Sequence, residues 1–144
     1  MNAEAILTRV RQFLLIISAG IFVMTTAELI FVSHWNETIQ YLPFALCGLG
    51  LITLAIAYFR PSHGSFNALR WSMIVIGVCS FIGFYEHMYN NYSFWLEIQP
   101  NSTMQDLIIA TLNGGIPILA PGILLLGAVI GLTAAYKHPL LETK

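Results

Sequence analysis

The six basic residues of this chain, Arg9, Arg11, Arg60, Arg70, Lys137 and Lys144, fall in three short clusters and leave long apolar stretches between them. A helix rises about 1.5 Å per residue, so about 20 apolar residues carry it across a hydrocarbon core about 30 Å thick. Four windows free of basic residues approach that length, at about 12–33, 41–58, 71–90 and 116–136. In lipid a helix satisfies its backbone hydrogen bonds within its own segment. The sequence therefore predicts an all-α, four-helix transmembrane bundle, with residues 1–144 forming a single membrane domain.

Composition agrees, since only 9% of residues are charged and 57% are hydrophobic. Soluble domains carry about 25% charged residues to keep their surface wet. The net charge of -1 gives no electrostatic basis for a nucleic-acid partner. The lipid bilayer is the first partner the sequence implies.

The basic residues precede the first window, separate the second from the third, and follow the fourth. All then lie on one side of the membrane, and the positive-inside rule makes that side cytoplasmic, with both the N and C termini. The loops 34–40 and 91–106 become external, and they hold Glu37, Glu97 and Asp106 with no Lys or Arg. Trp35, Tyr41, Tyr58, Trp71, Tyr92, Trp95 and Tyr136 sit near the window ends, where aromatic belts form. Thr25-Thr26-Ala27 resembles a signal cleavage site, but the apolar run continues through Leu29, Ile30, Phe31 and Val32, which suits a retained anchor. The expected location is the plasma membrane, and the compact chain points to a bacterial inner membrane.

Ser102-Thr103-Met104-Gln105 has capping-box spacing and Gly114-Gly115 is a helix stop, which predicts a short interfacial helix near 103–113. Pro117 or Pro121 is then expected to open the fourth span. Pro43-Phe44-Ala45-Leu46-Cys47-Gly48 aligns with Pro117-Ile118-Leu119-Ala120-Pro121-Gly122. Two duplicated helical hairpins would give that pattern, although aliphatic segments align readily with one another. Gly127 and Gly131 have GxxxG spacing, which serves close packing within a bundle or between copies.

Polar residues inside the spans carry the functional expectations. A carboxylate at a helix centre costs about 2.5–3.5 kcal/mol on insertion scales. Glu28 and Glu86 both fall about 23 Å along their spans, in the outer third. Thr25 and Thr26 precede Glu28, while His87, Asn90, Asn91 and Ser93 follow Glu86. Glu86, Asn90, Ser93 and Glu97 recur at helical spacing, beside Tyr85, Tyr89 and Tyr92, and such a stripe is expected to face the bundle interior. Glu28, Glu86, His87, Thr25, Asn90 and Tyr89 are thus the candidate residues for binding a ligand or ion in an outward-facing acidic pocket.

Glu28, Glu86, His87 and His34 are the residue types of a metal site, and His34 with His87 could hold a haem. Against this, His87 projects about 100° from Glu86 and His34 about 120° from Glu28, and no Glu-x-x-His pair is present. No cofactor is specified. No nucleophile elbow, phosphate loop or H-E-x-x-H motif occurs, so no catalytic residue is assigned and an enzyme is not the expected class. His63 and His138 fall in cytoplasmic segments, where solvated or headgroup contacts are expected. Cys47 and Cys79 lack metal or haem spacing and read as reduced packing residues. Asn36, Asn91 and Asn101 each begin an N-x-S/T sequon in or beside an outer segment. The leading functional expectation is an accessory or interaction subunit of a membrane assembly, with a membrane-protein partner or a homo-oligomer. A proton or small-cation carrier and a metal or haem redox protein are the alternatives.

Overall fold

The computed structural model describes residues 2–142, so Lys144 lies outside the described residues. Among the described residues five α-helices follow one another: α1 (Ala3–Phe31), α2 (Leu42–Phe59), α3 (His63–Ile98), α4 (Met104–Leu112) and α5 (Gly122–Ala135), with 3-10 turns at Thr38–Tyr41 and Pro139–Leu141. No strand occurs among the described residues. Three segments, Ala3–Phe31, Thr38–Phe59 and His63–Ile98, are long and apolar enough to cross a membrane. The helical membrane architecture expected from hydropathy holds to that extent.

Each helix end has a chemical cause. Asn2 caps α1 by accepting the Ala5 N–H at 2.9 Å. After Phe31, the N–H of Ser33 donates to Ile30 O at 3.1 Å and that of His34 to Leu29 O at 2.9 Å. This is a Schellman stop, with Ser33 in the left-handed region (φ 53°) usually taken by glycine. At α3, Ser62 and Ser65 satisfy each other: the Ser65 N–H donates to Ser62 Oγ at 3.1 Å, and the Ser62 N–H donates to Ser65 Oγ at 2.8 Å.

That reciprocal cap starts α3 at His63 rather than near 71, and the helix runs on to Ile98 rather than ending near 90. Its 36 residues reach about 54 Å. Hydropathy marks where lipid could begin and end, whereas a helix ends only where its hydrogen bonding stops. Residues 91–98, expected in an external loop, are therefore helical.

The fourth apolar window departs in the other direction. Helix α5 has 14 residues, or about 21 Å, and starts at Gly122 instead of near 116. Pro117 and Pro121 both precede it, each disfavouring the helical conformation of the residue before it. Residues 117–122 instead form turns, closed by Ala120 N–H to Pro117 O at 3.1 Å and Gly122 N–H to Leu119 O at 2.9 Å. Pro43, by contrast, occupies the first turn of α2, so the aligned proline segments adopt different local structures.

Two compact units divide the chain, one of residues 1–77 and 123–144, the other of residues 78–122. The first is organised around Phe22 of α1, which is fully buried. A Cβ on Gly50 of α2 would come within 2.8 Å of the Phe22 ring, and one on Gly127 of α5 within 3.1 Å. The ring thus fills a slot that exists because both neighbours lack side chains. Gly131 admits Met73 in the same way, with a virtual Cβ contact of 2.7 Å to Sδ. The GxxxG pair of α5 is therefore used inside this unit.

Two buried polar contacts lie in the same unit. Ser18 Oγ donates to Gly127 O at 2.8 Å, and the hydroxyls of Thr53 and Ser72 are 2.9 Å apart. Interhelical hydrogen bonds of this kind in membranes average about 0.6 kcal/mol. Thr53→Val is accordingly expected to shift the unfolding midpoint only slightly, as a denaturation series in mixed micelles would read.

At the other end of this unit, Arg11 donates to Lys137 O at 2.8 Å, just beyond α5. His138 is stacked on Phe66, with ring centroids 3.7 Å apart and an interplanar angle of 17°. It is half-buried rather than solvated, which corrects the expectation for this residue. Burial, and to a lesser degree the Arg11 charge, hold His138 below its ordinary value of 6.5. The neutral ring also accepts the Leu140 N–H at Nδ1, 3.3 Å away.

A depressed histidine value means that the unfolded chain binds the proton more readily than the folded one. The stabilising contribution is complete above about pH 6.5 and declines as pH falls below it. Melting at pH 7.5 and 5.5 is expected to show a larger acid loss for the parent protein than for His138→Phe, which keeps the stack without the titrating nitrogen.

Candidate functional site

The first unit presents an open groove of about 380 Å³ along α1. Ile17, Ile21 and Thr25 of α1 and Ile123 of α5 contribute to its lining, together with the exposed residues Gly20, Met24 and Glu28. The last three are spaced by four residues and so share one helix face. Nothing approaches within 4 Å of a Cβ built on Gly20, and Met24 is 70% exposed. Thr25 is buried and donates its hydroxyl to Ile21 O at 2.8 Å. Its neighbour Thr26 likewise donates to Phe22 O at 2.8 Å.

Glu28 lies in the last turn of α1, which contains no basic residue. Its side chain makes no hydrogen bond or ion pair among the described residues. A helix C-terminus is the negative end of the helix dipole, so a carboxylate there is disfavoured unless a cation approaches. The groove therefore combines apolar walls, a backbone open to close approach at Gly20, and an uncompensated negative charge.

The second unit holds the other sequence candidates. Glu86 is half-buried and makes no hydrogen bond or ion pair among the described residues. Tyr89 is 53% exposed and stacks on Tyr85, with ring centroids 6.0 Å apart. Asn90 is exposed, whereas the adjacent Asn91 is only 4% exposed. Asn91 is the buried polar position here, and His87, half-buried like Glu86, shares its helix face, one residue along from the expected stripe through Glu86 and Asn90.

Asn91 closes a buried junction with the segment beyond α4. Its Nδ2 donates to Ile116 O at 2.8 Å and to Thr111 O at 3.2 Å, while its Oδ1 accepts the Ile116 N–H at 3.1 Å. One turn earlier, His87 Nδ1 lies 2.7 Å from Pro117 O. A carbonyl can only accept, so Nδ1 is the donor in this contact. Gly114 completes the arrangement, because a Cβ there would collide with the Asn91 amide.

This junction was the element that sequence reasoning missed. The available signal was an i, i+4 pair of amide and imidazole beside a Gly-Gly-x-Pro turn. With its amide committed on both sides, the Asn91 sequon has a structural role, while Asn36 and Asn101 remain exposed.

Helix α4 forms much as expected, over Met104–Leu112, but with its cap one residue later. Thr103 Oγ1 accepts the Asp106 N–H at 3.2 Å and donates to Asp106 Oδ2 at 2.7 Å. Leu107 and Thr111 are buried, leaving Met104, Ile108, Ile109 and Leu112 exposed. Among the described residues no group of three His, Cys, Asp or Glu side chains could hold a metal ion. Cys47 and Cys79 are free thiols. No family model, curated protein or solved structure matches this chain.

Proposed function

We propose that this protein is a small multi-pass subunit of a larger membrane assembly, acting through helix packing against a partner. The observation that carries this reading is Glu28, an exposed, unpaired carboxylate on an otherwise apolar helix face. Lipid tails give such a group no counter-charge, and ionisable residues within spans ordinarily face protein or water-filled cavities. A second protein chain covering the α1 face would supply both. In this reading α5, extended by the turns before it, forms a fourth crossing, and both termini are cytoplasmic by the distribution of Arg and Lys. The setting is a plasma membrane, of the bacterial inner-membrane type.

The alternative is a proton or small-cation carrier, favoured by the placement of Thr25 and Glu28 along one groove. Glu86 and His87 would be its second set of polar groups.

Extraction of the tagged protein from its native membrane in mild detergent separates the two. A subunit is expected to bring a partner at constant stoichiometry across detergents. A carrier purifies without one, moves protons or cations in liposomes, and loses that flux in Glu28→Gln.

A further inference from the structure

Resting on the subunit reading, we infer that the occupant of the α1 groove is a transmembrane helix of a different protein, presenting a lysine or arginine to Glu28. Three features converge on this partner. Gly20, Met24 and Glu28 form one exposed face, and the open space over Gly20 lets another helix backbone approach closely. Ile17 and Ile21 offer that helix apolar contact two to three turns before the carboxylate. The carboxylate and the C-terminal end of α1 add their negative charge at one place, and the last turn supplies no cation.

Charge complementarity also argues against a second copy of this chain. Every Lys and Arg lies outside the four apolar windows, and the two nearest to α1, Arg9 and Arg11, are at its beginning. Glu28 lies at the opposite end of α1 from Arg9 and Arg11, and the segment that follows adds Glu37 rather than a cation. Two parallel copies would place one Glu28 against another, and like charges facing each other in a poorly hydrated site disfavour contact. The counter-charge must come from another chain. A lysine or arginine within the partner's own span would be as costly alone as Glu28 is, so each side removes the other's exposed charge.

The test is purification of the full-length tagged chain from its native membranes as parent, Glu28→Gln, Glu28→Lys, Gly20→Leu and Glu97→Lys, with the co-purified chain quantified by mass spectrometry. Glu28→Gln is expected to weaken retention roughly thirty-fold or more, the scale for truncating one member of a buried charged pair. Glu28→Lys and Gly20→Leu are expected to abolish it, the first by repulsion and the second by filling the space over the helix. Glu97→Lys, an exposed change near the end of α3, is expected to retain the partner. Melting of each purified variant checks that the fold survives, as the open surroundings of Gly20 and Glu28 predict. A constant partner that ignores Glu28 and Gly20 overturns the groove assignment while leaving the subunit reading intact. A parent protein with no partner overturns both, and a partner that proves to be a second copy, or only bound lipid, overturns the inference.

Discussion

Phe22→Ala is expected to lower the stability of the first unit by about 2–4 kcal/mol, toward the lower end of the range for emptying a large buried aromatic site. Phe22 is fully buried among side chains and backbone of its own unit, so its contacts are with protein rather than lipid. When helices separate within a bilayer, lipid tails can replace part of the apolar environment, which removes much of the transfer contribution. What remains is the cavity, because the surrounding helices cannot collapse fully onto the vacated slot. Gly127→Leu tests the same slot from the other side, forcing a side chain against Ile21 and Phe22 at about 1–3 kcal/mol or more. Denaturation midpoints in mixed micelles would measure both. Phe13→Ala is the comparison, since Phe13 is 61% exposed. Equal losses for Phe13→Ala and Phe22→Ala would contradict the packing described here.

Asn91→Leu is expected to have the second large effect. It leaves Thr111 O, Ile116 O and the Ile116 N–H without their side-chain partner. A buried group deprived of its hydrogen bond costs about 1–3 kcal/mol. Amide exchange at Ile116 is expected to accelerate by about two orders of magnitude, consistent with about 3 kcal/mol of lost protection. Gly114→Ala should produce the same acceleration, because its methyl group would occupy the position of the Asn91 amide. Asn91→Asp separates the contributions. It keeps an acceptor for Ile116 N–H but turns an oxygen toward two carbonyls that had received a donor. Unchanged exchange at Ile116 in Asn91→Leu would show that the side chain does not hold this turn.

Composition revealed the long apolar helices because hydropathy depends on the average of many residues and is insensitive to any one of them. The extents of α3 and α5 were harder to read for the same reason. Ser62 and Ser65 extend α3 into a region with basic residues, where a lipid-based criterion stops counting. Pro117 and Pro121 delay α5 within an apolar stretch that the same criterion counts as continuous.

At the polar residues the difficulty was rotational. A helical stripe through Glu86 and Asn90 differs from one through His87 and Asn91 by a single residue, about 100° around the axis. Burial of Asn91 depends on Gly114 and Ile116, distant in sequence and supplied by a turn that periodicity does not describe. The α4 cap shows the same one-residue ambiguity, since Ser102 and Thr103 can both start the motif. Asp106 favours Thr103, adding a carboxylate at the positive end of the helix as well as a hydroxyl partner. On α1 the spacing of Gly20, Met24 and Glu28 was visible, but its openness required the positions of the neighbouring helices.

The most direct test of the account places a photo-crosslinking amino acid at Met24, between Gly20 and Glu28 on the α1 face, in protein expressed in its native membrane. The predicted result is one discrete adduct with a different membrane protein, mapping to an apolar segment that contains a lysine or arginine, and lost in Glu28→Lys. Adducts only with lipid, or only with a second copy of this chain, would contradict it.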